Sequence, residues 1–185
     1  AGFAVGVADR HRLIQGSRIE DGDILIGLPS SGLHSNGFSL ARKVLLEHAG
    51  LKLAERPQDL RQTLGETLLA PTRIYVKPVL ELLKKVDIHG MDHITGGGIV
   101  ENLARVLPDG LGASINTSAM EIPAVFSLIA SSGRVERDEM YRTFNMGIGF
   151  ILVVSHTDAD RTLESMREQG EKPRIIGEVS RETGG

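Results

Sequence analysis

The segment Asp23-Ile-Leu-Ile-Gly-Leu-Pro-Ser-Ser-Gly-Leu-His-Ser-Asn-Gly37 decides the reading of the fold. Asp23 to Leu28 is a short apolar run after the Asp21-Gly22 turn signal, which predicts a buried strand. Pro29-Ser-Ser-Gly32 ends it. Asn36 to His48 then places Phe38, Ala41, Leu45 and His48 or Ala49 at helical spacing, and Gly50 closes the helix. A buried strand, a serine-glycine loop and an amphipathic helix therefore follow one another within thirty residues or so.

The rest of the chain continues in that manner. Upstream, Gly2 to Ala8 alternates glycine and small residues with Phe3, Val5 and Val7, a period-2 strand pattern. Downstream, Leu60, Leu64, Leu68 and Leu69 predict a second helix stopped by Pro71. Tyr75, Val79, Leu82, Leu83 and Val86 predict a third, distorted at Pro78. Helices are also expected from Ile99 to Leu107, Pro123 to Ala130, Glu136 to Tyr141 and Asp158 to Gln169. Strands are expected at Gly112 to Ile115, Ile148 to Val154 and Arg174 to Val179. Strands and helices alternate irregularly, which predicts an α/β domain of α+β character, a mixed sheet flanked by helices.

Composition narrows the function classes. The 185 residues suit one compact domain, and 41% apolar with 24% charged residues is an ordinary globular balance. The formal charge is −3 with the two signs intermixed, so no nucleic-acid partner is expected. Cysteine is absent, which removes disulfides, thiolate zinc sites and cysteine nucleophiles. No run approaches the roughly 18 apolar residues of a membrane span, and the first residues lack the basic-then-apolar layout expected of a signal peptide. A cytoplasmic protein without a membrane partner is the expectation. The first residues read as a strand already under way, as in a chain cropped from a longer one.

Three glycine-containing loops carry the chemistry. In Pro29 to Gly37, Ser35 or Asn36 could cap the following helix and leave backbone N–H groups facing an anion. His34 would add a donor able to carry charge, and Ser30, Ser31 and Asn36 neutral donors. The same residues are also ordinary turn formers. In His93-Ile-Thr-Gly-Gly-Gly98, three consecutive glycines before a helix imply close backbone approach, either of a phosphate or ribose or of a packed neighbour. Neither a P-loop lysine nor G-x-G-x-x-G spacing is present. In Met140 to Gly149, Asn145 could fix a ligand or close a turn. Gly147 and Gly149 would alternate on one strand face, open to a close neighbour. Arg142 could meet a phosphate or form a surface ion pair. His89 and His93, four apart, read as strand or loop rather than as a helical metal pair. No serine-histidine-acid triad or carboxylate pair is present.

Taken together, Gly32-Leu-His-Ser-Asn-Gly-Phe-Ser-Leu40, Leu69-Ala-Pro-Thr-Arg-Ile-Tyr-Val-Lys77, His93-Ile-Thr-Gly-Gly-Gly98, Arg105-Val-Leu-Pro108 and Glu139-Met-Tyr-Arg-Thr-Phe-Asn-Met-Gly-Ile-Gly149 resemble the aminoimidazole ribonucleotide synthetase family, the phosphoribosylformylglycinamidine cyclo-ligases. Order and spacing match over nearly the whole chain. The resemblance implies a purine-pathway ligase turning formylglycinamidine ribonucleotide and ATP into aminoimidazole ribonucleotide, ADP and phosphate. ATP activates the formyl oxygen as a phosphate ester, and a nitrogen of the amidine side closes the ring as phosphate leaves.

The resemblance further implies an N-terminal half that holds ATP and magnesium and makes the homodimer. This chain would supply the C-terminal half. Residues 1–14 would be the tail of the N-terminal half and 15–185 the substrate-binding domain. The family's Asp-Gly-Val-Gly-Thr-Lys signature is absent, so no cofactor is expected on this chain alone and no activity from it. His34 would be catalytic, and Ser31, Ser35, Asn36, Thr95, Gly96, Gly97, Gly98 and Asn145 would bind substrate, with no metal ligands. Residues 2–8 would allow weak self-association. The alternatives are another ATP-using enzyme of the wider group, of selenophosphate synthetase or thiamine-monophosphate kinase type, or a non-catalytic ligand-binding or assembly domain.

Overall fold

The computed structural model describes Phe3 and residues 5–181. Five strands, β1 (Ile24–Pro29), β2 (Ile88–His93), β3 (Leu111–Ile115), β4 (Ile148–Val154) and β5 (Arg174–Arg181), form one sheet in the order β2-β4-β1-β5-β3. The α/β class expected from the sequence is what folds. The expectation of a mixed sheet is refined: each of the four pairings is antiparallel. In register, Leu25 faces Val153 of β4 and Gly177 of β5. β1 and β4 are near-continuous apolar runs because both lie inside the sheet, covered on both faces.

Helices cover the two faces unequally. α1 (Phe38–Arg42), α2 (Leu64–Leu68), α4 (Gly98–Ala104), α5 (Ala124–Gly133) and α6 (Arg137–Thr143) contribute Ala41, Leu64, Ile99, Phe126 and Met140 to one core, against Leu25, Ile151 and Val153. α3 (Val76–Leu82) and α7 (Ala159–Glu168) contribute Val79, Leu82, Leu163 and Met166 to the other, against Ile26, Leu28 and Leu152. Burying one such aliphatic side chain stabilises the fold by about 1.5–3 kcal/mol. No helix among the described residues is long and apolar enough to cross a membrane.

Several local expectations change. The helix expected from Asn36 starts at Phe38 and passes into a π-helical segment, Lys43–His48, where Ala49 N–H reaches back five residues to the Val44 carbonyl. The helix expected from Leu60 starts at Leu64, because Thr63 and Glu66 form a reciprocal capping box there. Pro78 does not distort α3: it is the third residue of a helix beginning at Val76, where a backbone N–H has no helical partner to lose. The Gly2 to Ala8 strand is not formed at Phe3 or at Val5 to Ala8, and Phe3, Val5 and Val7 stand exposed. Gly2 and Ala4 of that segment lie outside the described residues.

Candidate functional site

The loop after β1 is held from outside itself. Ser30 N–H donates to the Gly147 carbonyl at 2.8 Å, and Tyr75 Oη donates to the Pro29 carbonyl at 2.8 Å. Asn145 is buried, and its amide serves the loop. Nδ2 donates to the Gly32 carbonyl at 2.9 Å, and Oδ1 accepts from Ser30 Oγ at 3.0 Å and Gly147 N–H at 2.8 Å. Its amide is therefore engaged within the fold rather than held out toward a ligand. Ser31 Oγ donates to the Pro71 carbonyl at 2.5 Å, and Ser35 Oγ lies 3.0 Å from Thr72 Oγ1, so the Leu69 to Lys77 segment lies against this loop. Ser31 and Ser35 are exposed and Asn36 is half-buried.

Two expectations about this loop are overturned. Neither Ser35 nor Asn36 caps α1: the capping position is Gly37, with φ of 77°, set so close to the Phe144 ring that a Cβ there would collide with it. His34 is also no charged donor. It is 4% exposed, with φ of 57° in the left-handed region, and its Nε2 accepts Ser31 N–H at 3.1 Å and Arg73 N–H at 3.5 Å. Burial, then the neighbouring His93 and Arg73, bring its pKa down to about 4, so the imidazole is neutral at physiological pH. Nδ1 is buried without a partner.

The glycine loop is held locally. Thr95 Oγ1 donates to Asn102 Oδ1 at 3.0 Å, and Asn102 Nδ2 donates to the carbonyls of Gly98 at 2.7 Å and Gly96 at 3.1 Å. The two readings of the glycines divide between positions. Gly98, with φ of 61°, backs onto the Tyr141 carbonyl, where a Cβ would overlap it, so packing demands this glycine. Gly97 also takes a left-handed φ, of 98°. Gly96 is exposed, and a Cβ on it would lie 3.6 Å from Asn36 Oδ1. That distance brings the two loops into one site.

A ring cluster joins His34 of the first loop to His93, the last residue of β2 before the second. The His34 ring centroid is 6.2 Å from Tyr75 and 6.1 Å from His93, and Phe150 is 5.2 Å from Tyr75. Gly149 on β4 makes room for it, since a Cβ there would overlap Tyr75 Oη and His34 Cε1. Gly147, by contrast, lies in the turn before the strand with φ of 96°, so the two glycines do not share a strand face. An apolar groove of about 440 Å³, including Ile74, Val76, Leu80 and Phe150, adjoins the rings. A cleft of about 640 Å³ borders the Ser30 to Gly32 loop, and its lining includes Arg61, Arg73, Lys172 and Arg174. Burial raises the Tyr75 pKa and fixes its hydroxyl as a donor.

Arg73, Tyr75 and Phe150 are site residues that the sequence reading does not single out, and His93 enters there only as the start of the glycine loop and as half of a rejected metal pair. The signal for Tyr75 and His34 was Gly149, a glycine inside the most apolar strand. Arg142 is exposed, 3.9 Å from Glu101, and keeps the surface ion-pair reading. His89 lies on β2 and pairs through Nδ1 with buried Asp23 at 2.7 Å. Among the described residues, no group of three or more His, Asp or Glu side chains converges as a metal site.

Residues 20–185 match the family model described as AIR synthase related protein, C-terminal domain. A phosphoribosylformylglycinamidine cyclo-ligase of Bacillus cereus is 52% identical over 177 residues, covering 96% of this chain and 51% of the relative. One of Carboxydothermus hydrogenoformans is 52% identical over 180 residues, covering 97% and 52%. The chain thus spans about half the length of the curated relatives it matches. Among solved structures, a thiamine-monophosphate kinase from Stenotrophomonas maltophilia shares the fold with a TM-score of 0.61 at 18% identity, covering 96% of this chain and 53% of that one. T. maritima PurL complexed with FGAR gives 0.53 at 16% identity, covering 94% and 26%. At such identities the likeness concerns the fold alone.

Proposed function

Because this chain belongs to the AIR synthase related C-terminal domain family, we propose that it forms the substrate-binding half of a phosphoribosylformylglycinamidine cyclo-ligase. The whole enzyme would convert formylglycinamidine ribonucleotide and ATP into aminoimidazole ribonucleotide, ADP and phosphate. The observation that carries the proposal is the meeting of the Ser31 to Asn36 loop with the Thr95 to Gly98 loop at Asn36 and Gly96. Exposed Ser31 and Ser35, the amide of Asn36 and the open backbone at Gly96 form a neutral polar surface suited to ribose hydroxyls and phosphate oxygens. The rings of Tyr75 and His93 pack near buried His34 of the first loop. Such a surface works by holding the ribonucleotide in a reactive pose, which is where positioning lowers a barrier.

The residues present do not fit magnesium-ATP. The described acidic side chains do not converge, and the glycine loop lacks the lysine and hydroxyl residue that cradle nucleotide phosphates. We assign nucleotide and metal, and the homodimer, to the other half of the enzyme. The chain alone should bind no magnesium-ATP at micromolar concentration and show no cyclisation; calorimetric detection of such binding would refute this. We also assign weak self-association to the exposed Phe3, Val5 and Val7, tested by sedimentation before and after removing residues 1–10.

The main test joins this chain to an ATP-binding half and measures ATP-dependent ring closure. His34→Ala should lower kcat/KM by roughly 10- to 1,000-fold. His48→Ala, exposed on the π-helical segment, is the control and should leave kinetics unchanged. Equal behaviour of the two variants would remove His34 from the site. A thiamine-monophosphate kinase type of activity in the joined protein, without cyclisation, would replace the proposal.

A further inference from the structure

We propose that His34, Arg73 and Glu171 form a latch that positions the Ser31 to Asn36 loop, with His34 Nε2 acting as a hydrogen-bond acceptor and not as a proton carrier. This deepens the reading of that loop as the substrate surface and rests on it. The argument begins at Nε2, which two backbone N–H groups approach, Ser31 at 3.1 Å and Arg73 at 3.5 Å. Neither donor can accept, so a proton on Nε2 would set N–H against N–H. The ring proton therefore sits on Nδ1.

Arg73 is itself tethered. Its guanidinium lies 2.8 Å from the Glu171 carboxylate, a close ion pair without an aligned hydrogen bond, and the Glu171 side chain is only 7% exposed. The Arg73 N–H is thus presented to His34 by a segment pinned to the turn between α7 and β5. The φ of 57° at His34 gives the latch a task, because a left-handed non-glycine residue needs an external hold. The charged and titratable groups facing the ring agree. They are Tyr75 at the start of α3, His93 on β2 and Arg73 from the intervening loop, with Glu171 behind Arg73 and engaged by it. None of them is an unengaged anion that would hold an imidazolium. Burial and the two neighbouring bases disfavour the cation further.

The test compares His34→Ala, His34→Gln and Glu171→Gln in the joined cyclo-ligase, with pH profiles from 5.5 to 8.5. Glutamine places an acceptor oxygen near the Nε2 position. It should restore kcat/KM to within about 10-fold of the parent, against a loss of roughly 10- to 1,000-fold for alanine. Glu171→Gln, which touches no substrate, should lower kcat/KM about 3- to 10-fold with the profile's shape unchanged. Glutamine as damaging as alanine, or an acid limb in the parent that His34→Gln abolishes, would overturn the latch. If the joined protein does not cyclise at all, the substrate reading fails, and the latch is then judged separately by nitrogen NMR of histidine-labelled protein. Protonated Nδ1 and bare Nε2 at His34 from pH 5.5 to 8 would support it. A ring titrating near pH 6.5 would sink it.

Discussion

The two loops of the candidate site are built in opposite ways. The Thr95 to Gly98 loop is closed by Asn102, seven positions from Thr95 and four from Gly98, together with its own left-handed glycines. The Pro29 to Gly37 loop is closed by residues that arrive from elsewhere in the chain. Arg73 is 39 positions from His34, and Asn145 is 113 from Gly32. A locally closed loop keeps its shape as long as its helix does. A loop closed at long range reports on the packing of the sheet, because β4 and the turn before it deliver Gly149 and Asn145 to it. The second kind can be loosened without touching a residue that meets ligand.

The strongest way to break the comparison is Gly98→Ala. Its left-handed φ and the Tyr141 carbonyl against its Cβ position leave no room, so a loss of about 3–5 kcal/mol is expected in urea unfolding. A loss below 1 kcal/mol would show that the loop adapts. Asn145→Ala should cost about 2–3 kcal/mol, since it leaves the Gly32 carbonyl and Gly147 N–H without their partner. Its signature is faster amide exchange in Ser30 to Asn36, far from the substitution in sequence. Asn102→Ala should speed exchange only in 95–101, and spread of either effect to the other loop would erase the distinction.

Asp92 on β2, just before the glycine loop, sharpens the contrast through pH. Burial raises its pKa to about 6, against the opposing pull of Arg105, and its Oδ2 has no hydrogen-bond partner. The folded state therefore holds the proton more tightly than the unfolded chain. Between about pH 4 and 6 folding stability should fall as pH rises, then level off once Asp92 is ionised. Asp92→Asn cannot ionise. It should be about 1 kcal/mol more stable than the parent at pH 7.5, after allowing for solvent screening, and equal to it near pH 3.5. Melting curves across that range check this, and equal stabilities at pH 7.5 would mean that Arg105 cancels the burial. The smallest effect is expected for Gly96→Ala, exposed and with only an ordinary van der Waals contact to Asn36 Oδ1, at about 0.5 kcal/mol or less in urea unfolding.

Legibility followed the same division. β4 was readable to the residue, Ile148 to Val154, because a run of seven apolar and glycine residues has few alternatives to a buried strand. α7, expected over Asp158 to Gln169 and ended by Gly170, was readable to within a residue or so of its observed bounds. Of the site, the two loops were readable as loops, since proline, serine and consecutive glycines announce themselves. The state of His34 was not. A histidine between Leu33 and Ser35 suggests a polar donor, whereas the fold buries it and points two backbone donors at its ring. Asn145 likewise read as a ligand or a turn closer, and only its partner Gly32 made it a brace.

By itself the sequence determined most of the strands and helices, though neither β2 nor the absence of a strand at Val5 to Ala8, together with the family they compose and the glycines that permit close approach. These depend on side-chain periodicity and backbone freedom, properties of neighbouring residues. Tertiary structure alone decided the antiparallel strand order, the meeting of Asn36 with Gly96, the protonation of His34 and the tether from Arg73 to Glu171. Each of these is a relation between groups distant along the chain. Burial and hydrogen-bond partners, which set a side chain's charge and direction, exist only once those groups are brought together.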